Sequence, residues 1–571
     1  MPSGGALQVL ARRGRQDHSR PIDLHQMATR FTPTAGGIID TPAARAQAAA
    51  DFVRKYRWLI LLGLITAAIM EVLDTTIVNV ALPQMAGNLG ATQEEIGWVS
   101  TGYILANVIV LPMTAFFAAR FGRRRYLTVS IFIFIVASLF CGTSHSLGEL
   151  VFWRILQGGG GAALLSTAQA TLRQIFPAEE QGLVQAVFLL GIIVAPTLGP
   201  TLGGWITDNY TWNWCFFINI PIGIASVFLV TGFLRDPPDQ QKSKASVDWT
   251  GIALLTLGIG SLQYVLEEGN AKDWFEDAAI VRFAILAAVS LAAMFWWELS
   301  PRNEHPVVNF RVLKNRALSA SLFLFVALGF GLYGGVFLFP LFAQGILHFT
   351  PTETGLVMLP GGVATGVSAL LCGALLNGKN PKGDPRVMIA CGVVLFAISM
   401  WMMGHLTTAA GEADVRVALL VRGFGLGLLF VPINAVAYAS IKPQEAQQAA
   451  GLINLSRQLG GAFGIAVLAN QIAKRTQFHR IDLLGSVTPG ALLTDERMRL
   501  LTGGFLSRGM DPVAAKQAAL TLLSGQVQTQ ATLLSFNDAW MFVLIVFVLV
   551  SPSILILRKP ARGAAPPADA H

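Results

Sequence analysis

The sequence predicts an all-α integral membrane protein, and three observations carry that prediction. Fourteen apolar runs follow one another between Leu59 and Leu557, and a run of about 20 apolar residues matches the ~30 Å hydrocarbon layer of a bilayer. Hydrophobic residues make up 53% of the 571 residues and charged residues only 13%, against roughly 25% charged in soluble domains. The charges also gather between the runs rather than along them. The net charge of +8 therefore reads as membrane topology, and no nucleic-acid partner is expected.

Residues 1–55 read as a disordered cytoplasmic tail, with Arg12, Arg13, Arg15, Arg20 and Arg30 scattered among Gly, Pro, Ala and Gln. No sustained apolar period gives this stretch a face to bury. It is not a secretory signal, because no small-residue cleavage site follows an apolar core. Six runs come next, at 58–84, 95–119, 126–143, 149–172, 182–206 and 213–234. Two more lie at 250–267 and 279–298, and a second six at 317–345, 355–378, 386–405, 415–440, 447–472 and 536–557.

Placing the N-terminus inside puts Arg120, Arg123, Arg124, Arg125, Arg235, Lys242, Lys244, Arg302, Arg311, Lys314 and Arg316 in cytoplasmic loops. Most short loops on the other side carry no Lys or Arg, so the positive-inside rule selects an even count with both termini cytoplasmic. The stretch 473–535 is a soluble insertion on the outer side, where Asp511 followed by Pro512 signals the start of a helix. Glycine-rich segments headed by Arg154 in the fourth run and Arg422 in the twelfth form a weak internal repeat. Repeated halves around a central site are common in secondary transporters. The expected organisation is a six-helix bundle at 56–235, a linker with two extra transmembrane helices at 236–316, a second six-helix bundle at 317–558, and a cytoplasmic tail at 559–571.

Charges inside the runs are costly and therefore informative. A charged side chain at the bilayer centre costs roughly 2.5–3.5 kcal/mol on insertion scales, so such groups face a cavity, a partner or a substrate path. Glu71 and Asp74 lie in the first run at i and i+3, on one helix face. Arg154 lies about four residues, roughly 6 Å, into the fourth run from its outer end, and Asp74 also falls in an outer half. Their depths permit an Asp74–Arg154 pair, either an inert tie between helices or a site that exchanges a proton for the arginine. Glu71 is read evenly as a second coupling carboxylate or as a determinant of substrate polarity.

Other residues carry weaker signals. Gly191, Ala195, Gly199 and Gly203 recur every four residues in the fifth run, with Gly204 beside them and Pro196 and Pro200 bending the segment. Small residues on one face let membrane helices approach closely, which suits a conformational hinge. Trp98, Tyr103 and Phe188, with Asn79, Gln157 and Arg457, are candidate lining for a substrate cavity, although aromatics in such proteins more often face lipid. Cys141, Cys215, Cys372 and Cys391 have no metal-ligand spacing and read as small apolar residues. The stretch from Gly373 to Asn380 is nearly a phosphate-binding loop, but it ends in Asn where Ser or Thr must hold magnesium. ATP hydrolysis is therefore not expected.

Three stretches together resemble the major facilitator superfamily, specifically its fourteen-helix drug:proton antiporters of the EmrB/QacA type. They are Leu73-Asp74-Thr75-Thr76-Ile77-Val78-Asn79-Val80-Ala81-Leu82-Pro83, Arg154 with Gln157-Gly158, and Ala195-Pro196-Thr197-Leu198-Gly199-Pro200-Thr201-Leu202-Gly203-Gly204-Trp205. The last resembles the family's antiporter motif and disfavours uptake. The loop after the second run departs from the superfamily pattern, with Ala115 and Ala119 where its usual glycine and aspartate stand.

The resemblance implies a major facilitator fold of two six-helix bundles plus two additional central helices, in the inner membrane, with a proton gradient as energy source and no cofactor. It implies export of hydrophobic drugs or toxic metabolites. It also implies an EmrA-like periplasmic adaptor and an outer-membrane channel as partners. The alternative is a dedicated exporter or uptake permease for one metabolite, such as a siderophore or an aromatic acid. No catalytic motif supports an enzyme.

Overall fold

The computed structural model describes residues 42–236, 248–303, 306–376, 383–439, 441 and 445–557. Most of the expected N-terminal tail, the tail at 559–571, and the basic residues Lys242 and Lys244 lie outside those residues. Every apolar run coincides with a helix. The first eight are α1 (Pro42–Leu89), α2 (Trp98–Phe121), α3 (Arg123–Gly142), α4 (Leu147–Ile175), α5 (Gln181–Asn209), α6 (Trp214–Phe233), α7 (Trp249–Glu268) and α8 (Ala278–Leu299). They are followed by α9 (Arg316–Gly345), α10 (Pro351–Leu376), α11 (Pro385–Met403), α12 (Glu412–Ala439) and α13 (Ala446–Ser486). A short α14 (Leu492–Leu506) precedes α15 (Pro512–Val550).

Twelve of these helices are long and apolar enough to cross a membrane. Helices α4 and α5, with 29 residues each, match them in length. The polar and glycine content of α4 reflects its position, because its middle is buried among other helices rather than facing lipid. The expected tail is corrected at its end: residues 42–55 are helical and continue into α1.

Helices α1 to α6 pack together, as do α9 to α13 with α15. Without a hydrophobic drive between helices in lipid, close approach of small residues does the work. The face predicted on α5 meets α1. A Cβ on Gly203 would lie 2.8 Å from the Ile77 carbonyl oxygen, one on Gly191 2.9 Å from Ile65, and one on Gly199 would overlap Thr76. The glycine-rich repeat does the same in both halves: Gly158 lies against the Tyr103 carbonyl of α2, and Gly423 against the Gly361 carbonyl of α10. Between the halves, α5 runs along α10 and α4 along α13.

The extra pair α7–α8 is central in sequence but sits on the flank in space, packed on α2 and α13. Its base is tied by Asp248, which caps α7 by accepting from the Gly251 N–H at 2.8 Å and also accepts from Trp297 Nε1 at 2.9 Å. The turn between α2 and α3 passes through Gly122 at φ 86°, a conformation that favours glycine. With alanine at 119, an acid from elsewhere serves this turn: Asp236, after α6, accepts the Arg124 backbone N–H at 2.9 Å.

The insertion 473–535 is helical rather than a separate module. α13 and α15 extend beyond their apolar runs and carry α14 between them. Asp511 caps α15 as the sequence suggests, accepting from the N–H groups of Val513 and Ala514. Across the stem, Thr476 donates to Ser535 at 2.8 Å, and Arg475 and His479 both meet Asp538.

The α1–α5 contact leaves no room for a side chain at Gly199, whereas Gly87 near the end of α1 faces open space. Overpacking costs about 1–3 kcal/mol. Gly199→Leu is expected to lower the melting temperature of the detergent-solubilised protein, and Gly87→Ala to leave it unchanged, in a thermal shift assay.

Candidate functional site

Asp74 is fully buried and receives three donors from two other helices. Arg154 Nη1 of α4 approaches Asp74 Oδ2 at 2.5 Å, Gln157 Nε2 meets Oδ1 at 3.0 Å, and Asn219 Nδ2 of α6 meets Oδ1 at 2.8 Å. Arg154 is held on its other sides too. Its Nε donates to the Val99 carbonyl at 2.9 Å, its Nη1 to Gln157 Oε1 at 2.8 Å, and its guanidinium lies 4.2 Å from the Tyr103 ring centroid. Ser138 of α3 accepts from Gln157 and Asn219 and passes its own hydrogen to the Phe216 carbonyl. A buried carboxylate and guanidinium persist only with this degree of satisfaction.

Glu71, one turn earlier, occupies a different pocket. Its Oε1 accepts from Asn107 Nδ2 of α2 at 3.3 Å, and its Oε2 from the Leu165 backbone N–H of α4 at 3.1 Å. Asn107 in turn accepts from Gln458 Nε2 of α13 at 3.0 Å. Glu71 is thus joined through one amide to the opposite half. The glycine run of α4 makes room for these groups, since a Cβ on Gly161 would lie 2.8 Å from the Tyr103 hydroxyl and 3.2 Å from Asn107 Nδ2.

A cavity of ≈ 60 Å³ lies between the halves. Val72, Thr75 and Thr76 of α1 form one wall, and Tyr333 of α9, Arg422 of α12 and Arg457 of α13 are on the others. Toward the end of the molecule that carries Arg120–Arg125, called the basic end below, polar ties close the seam. Arg173 donates to the Tyr438 carbonyl at 3.2 Å, Gln447 to Thr167 at 3.1 Å and Asn454 to Gln169 at 3.1 Å.

Sequence reasoning paired Asp74 with Arg154, and the structure joins them. Of the six residues expected to line a cavity, only Arg457 does so. Gln157 belongs to the Asp74 cluster, and Tyr103 supports Arg154. Phe188 is buried in the core of the N-terminal half. Asn79 is exposed and accepts from Ser100 Oγ at 2.7 Å. Trp98 stacks on Tyr264 of α7 at 6.0 Å, outside the seam. Gly191, Gly199 and Gly203 face α1, Gly204 is buried, and the side chains of Pro196 and Pro200 lie outside the described residues. Asn107, Asn219 and Gln458 were missed; of these, Asn107 is the amide that stands alone in its apolar run, a signal that could have found it.

Residues 64–465 match the Major Facilitator Superfamily. The chain is 34% identical over 433 residues to the multidrug export protein EmrB of Haemophilus influenzae, covering 76% of this chain and 83% of that one. It is 30% identical over 506 residues to the EmrB of Escherichia coli, covering 88% and 95%. Among solved structures it resembles the human organic anion transporter MFSD10 (TETRAN) with a TM-score of 0.50 at 13% identity, over 87% of this chain and 99% of that one. That last likeness concerns the fold alone.

Asn219 donates both to Asp74 and to Ser138, and leucine in its place strips a donor from a buried carboxylate. Losing such a bond costs about 1–3 kcal/mol. Asn219→Leu is expected to lower stability by that amount in denaturant unfolding followed by tryptophan fluorescence.

Proposed function

Because the chain belongs to the major facilitator superfamily, and within it to the drug exporters of the EmrB type, we propose that it expels hydrophobic small molecules in exchange for protons. It is a transporter and not an enzyme. The observation that carries the proposal is Asp74, a carboxylate buried in α1 whose neighbours are an arginine and two amides, all donors to its charged form. While ionised, it ties α1 to α4 and α6. A proton on it cancels the charge that holds Arg154, so proton and arginine compete for one carboxylate. That competition is what a proton-driven step requires.

Helix α1 also links proton and cargo. Its Glu71–Asp74 face points at α4, while Val72, Thr75 and Thr76 of the same turns line the central cavity. A shift of α1 that follows protonation therefore moves the cavity wall. The Glu71–Asn107–Gln458 chain gives a second carboxylate a line to the opposite half. The packed α5–α1 contact is read as the hinge.

The arginines at the basic end support an orientation with both termini cytoplasmic in the inner membrane. The halves are read as 56–235 and 317–558, with 236–316 as the inserted linker. The helical projection of α13, α14 and α15 then stands in the periplasm, where an EmrA-like adaptor and an outer-membrane channel are the proposed partners.

Dye export from proteoliposomes under an imposed pH gradient tests the coupling. Asp74→Asn keeps size and hydrogen bonding but cannot titrate, and is expected to abolish uphill export while downhill exchange persists. Glu71→Gln is expected to slow it and leave uphill export measurable. If Asp74→Asn still pumps uphill and Glu71→Gln does not, the proton rides on Glu71.

The periplasmic role of the projection is tested in cells with two membranes. A variant in which 480–530 is replaced by a short linker is expected to insert normally and to lose protection against toxic compounds. Full protection by that variant refutes the adaptor contact.

A further inference from the structure

Charge is balanced at Asp74–Arg154 but not around the central cavity. Arg422 and Arg457 both line it, and they are only 8% and 2% exposed. Neither forms an ion pair among the described residues. Arg422 Nη1 and Arg457 Nε have no hydrogen-bond partner there. Arg457 keeps one bond, from Nη2 to Asn454 Oδ1 at 2.9 Å, and its guanidinium lies 5.6 Å from the Phe430 ring centroid. Glu71 is near enough to Arg457 to feel its charge but forms no ion pair with either arginine, and its oxygens accept instead from Asn107 and the Leu165 N–H.

A buried guanidinium with open donors is expensive to keep. The surroundings nevertheless make room for it: a Cβ on Gly335 would lie 2.8 Å from Arg422 Nη1. Beside the two arginines, Tyr333 and Thr365 carry hydroxyls, while Met358, Leu426 and Phe430 are apolar. Guanidinium groups in an apolar setting match a carboxylate or similar oxyanion bidentately.

We infer that the central cavity is a binding site for amphipathic organic anions, whose oxyanion head rests on Arg422 and Arg457 while the apolar body lies along Phe430 and its neighbours. The inference rests on the export reading above, since it takes the cavity as part of the cargo path. At ≈ 60 Å³ the closed cavity has about the volume of two waters. It accommodates the head, and the body enters only when the seam opens.

Equilibrium dialysis of radiolabelled 1-naphthoate against the purified full-length protein at pH 8 tests this, with neutral 1-naphthamide as control. Parent protein is expected to prefer the acid. Arg422→Gln and Arg457→Gln should each weaken naphthoate binding at least tenfold and leave naphthamide unchanged. Arg422→Lys keeps the charge but loses the bidentate fork, and should bind naphthoate more tightly than Arg422→Gln and less tightly than the parent, so it decides the matter if the glutamine variant does not fold.

Equal affinity of parent and arginine variants for naphthoate overturns the inference. So does a parent that binds acid and amide alike. Displacement of naphthoate by phosphatidylglycerol vesicles, but not by phosphatidylcholine vesicles, assigns the site to a lipid headgroup and overturns the cargo role. Gradient-driven dye export by a parent that ignores naphthoate leaves the exporter standing without this site, whereas absence of any gradient-driven flux refutes the exporter itself.

Discussion

The buried carboxylate of Asp74 is the interaction on which the N-terminal half depends. Arg154 and Gln157 come from α4 and Asn219 from α6, while Ser138 of α3 joins the amides. Four helices therefore share one charge. Replacing a buried pair by apolar groups is often neutral for stability, while removing one partner costs about 3–5 kcal/mol. The cluster is weak evidence for stability and strong evidence for a specific arrangement. Its geometry fixes how α1, α3, α4 and α6 are rotated about their axes, which lipid-facing leucines and valines leave undetermined.

Close packing is the second constraint, and it works with the first. Gly199 and Gly203 bring α5 onto α1, and Gly158 and Gly161 bring α2 onto α4. The close α2–α4 approach places Tyr103 and the Val99 carbonyl against Arg154 and brings Asn107 beside Glu71. The glycines hold few contacts of their own, so their role is to set distances at which polar groups meet. A bulky residue at such a point disturbs both the packing and the charge it protects.

The membrane segments were legible because hydrocarbon thickness imposes a length that a sequence cannot hide. Helix ends were legible where capping chemistry is local, as at Asp511-Pro512. Depth permitted the Asp74–Arg154 pair, since buried charges at similar depth are kept by facing a partner or a polar cavity. Rotation about the helix axis was not legible. Trp98 and Tyr103 lie within two turns of one another in α2, yet one stacks on α7 and the other supports Arg154. Asn107 and Gln458 are invisible as a pair because neither carries a charge and they lie 351 residues apart. The position of α7 and α8 on the flank also required three dimensions, since a pair central in sequence has no stated address in space.

The seam between the halves is uneven, and that unevenness bears on how it opens. At the basic end it is held by neutral or singly charged hydrogen bonds, Arg173 to the Tyr438 carbonyl and Gln447 to Thr167. Such bonds contribute about 0.5–1.5 kcal/mol each, and up to about 3 when one partner is charged. Water can replace them at little net cost once the seam parts. The Asp74 cluster lies inside one half and need not break for the halves to separate. What it does is set the orientation of α1, whose Thr75 and Thr76 reach the cavity. Strong polar contacts thus stay within a half and weak ones lie between halves, so a rigid-body motion is the cheapest large change open to this molecule.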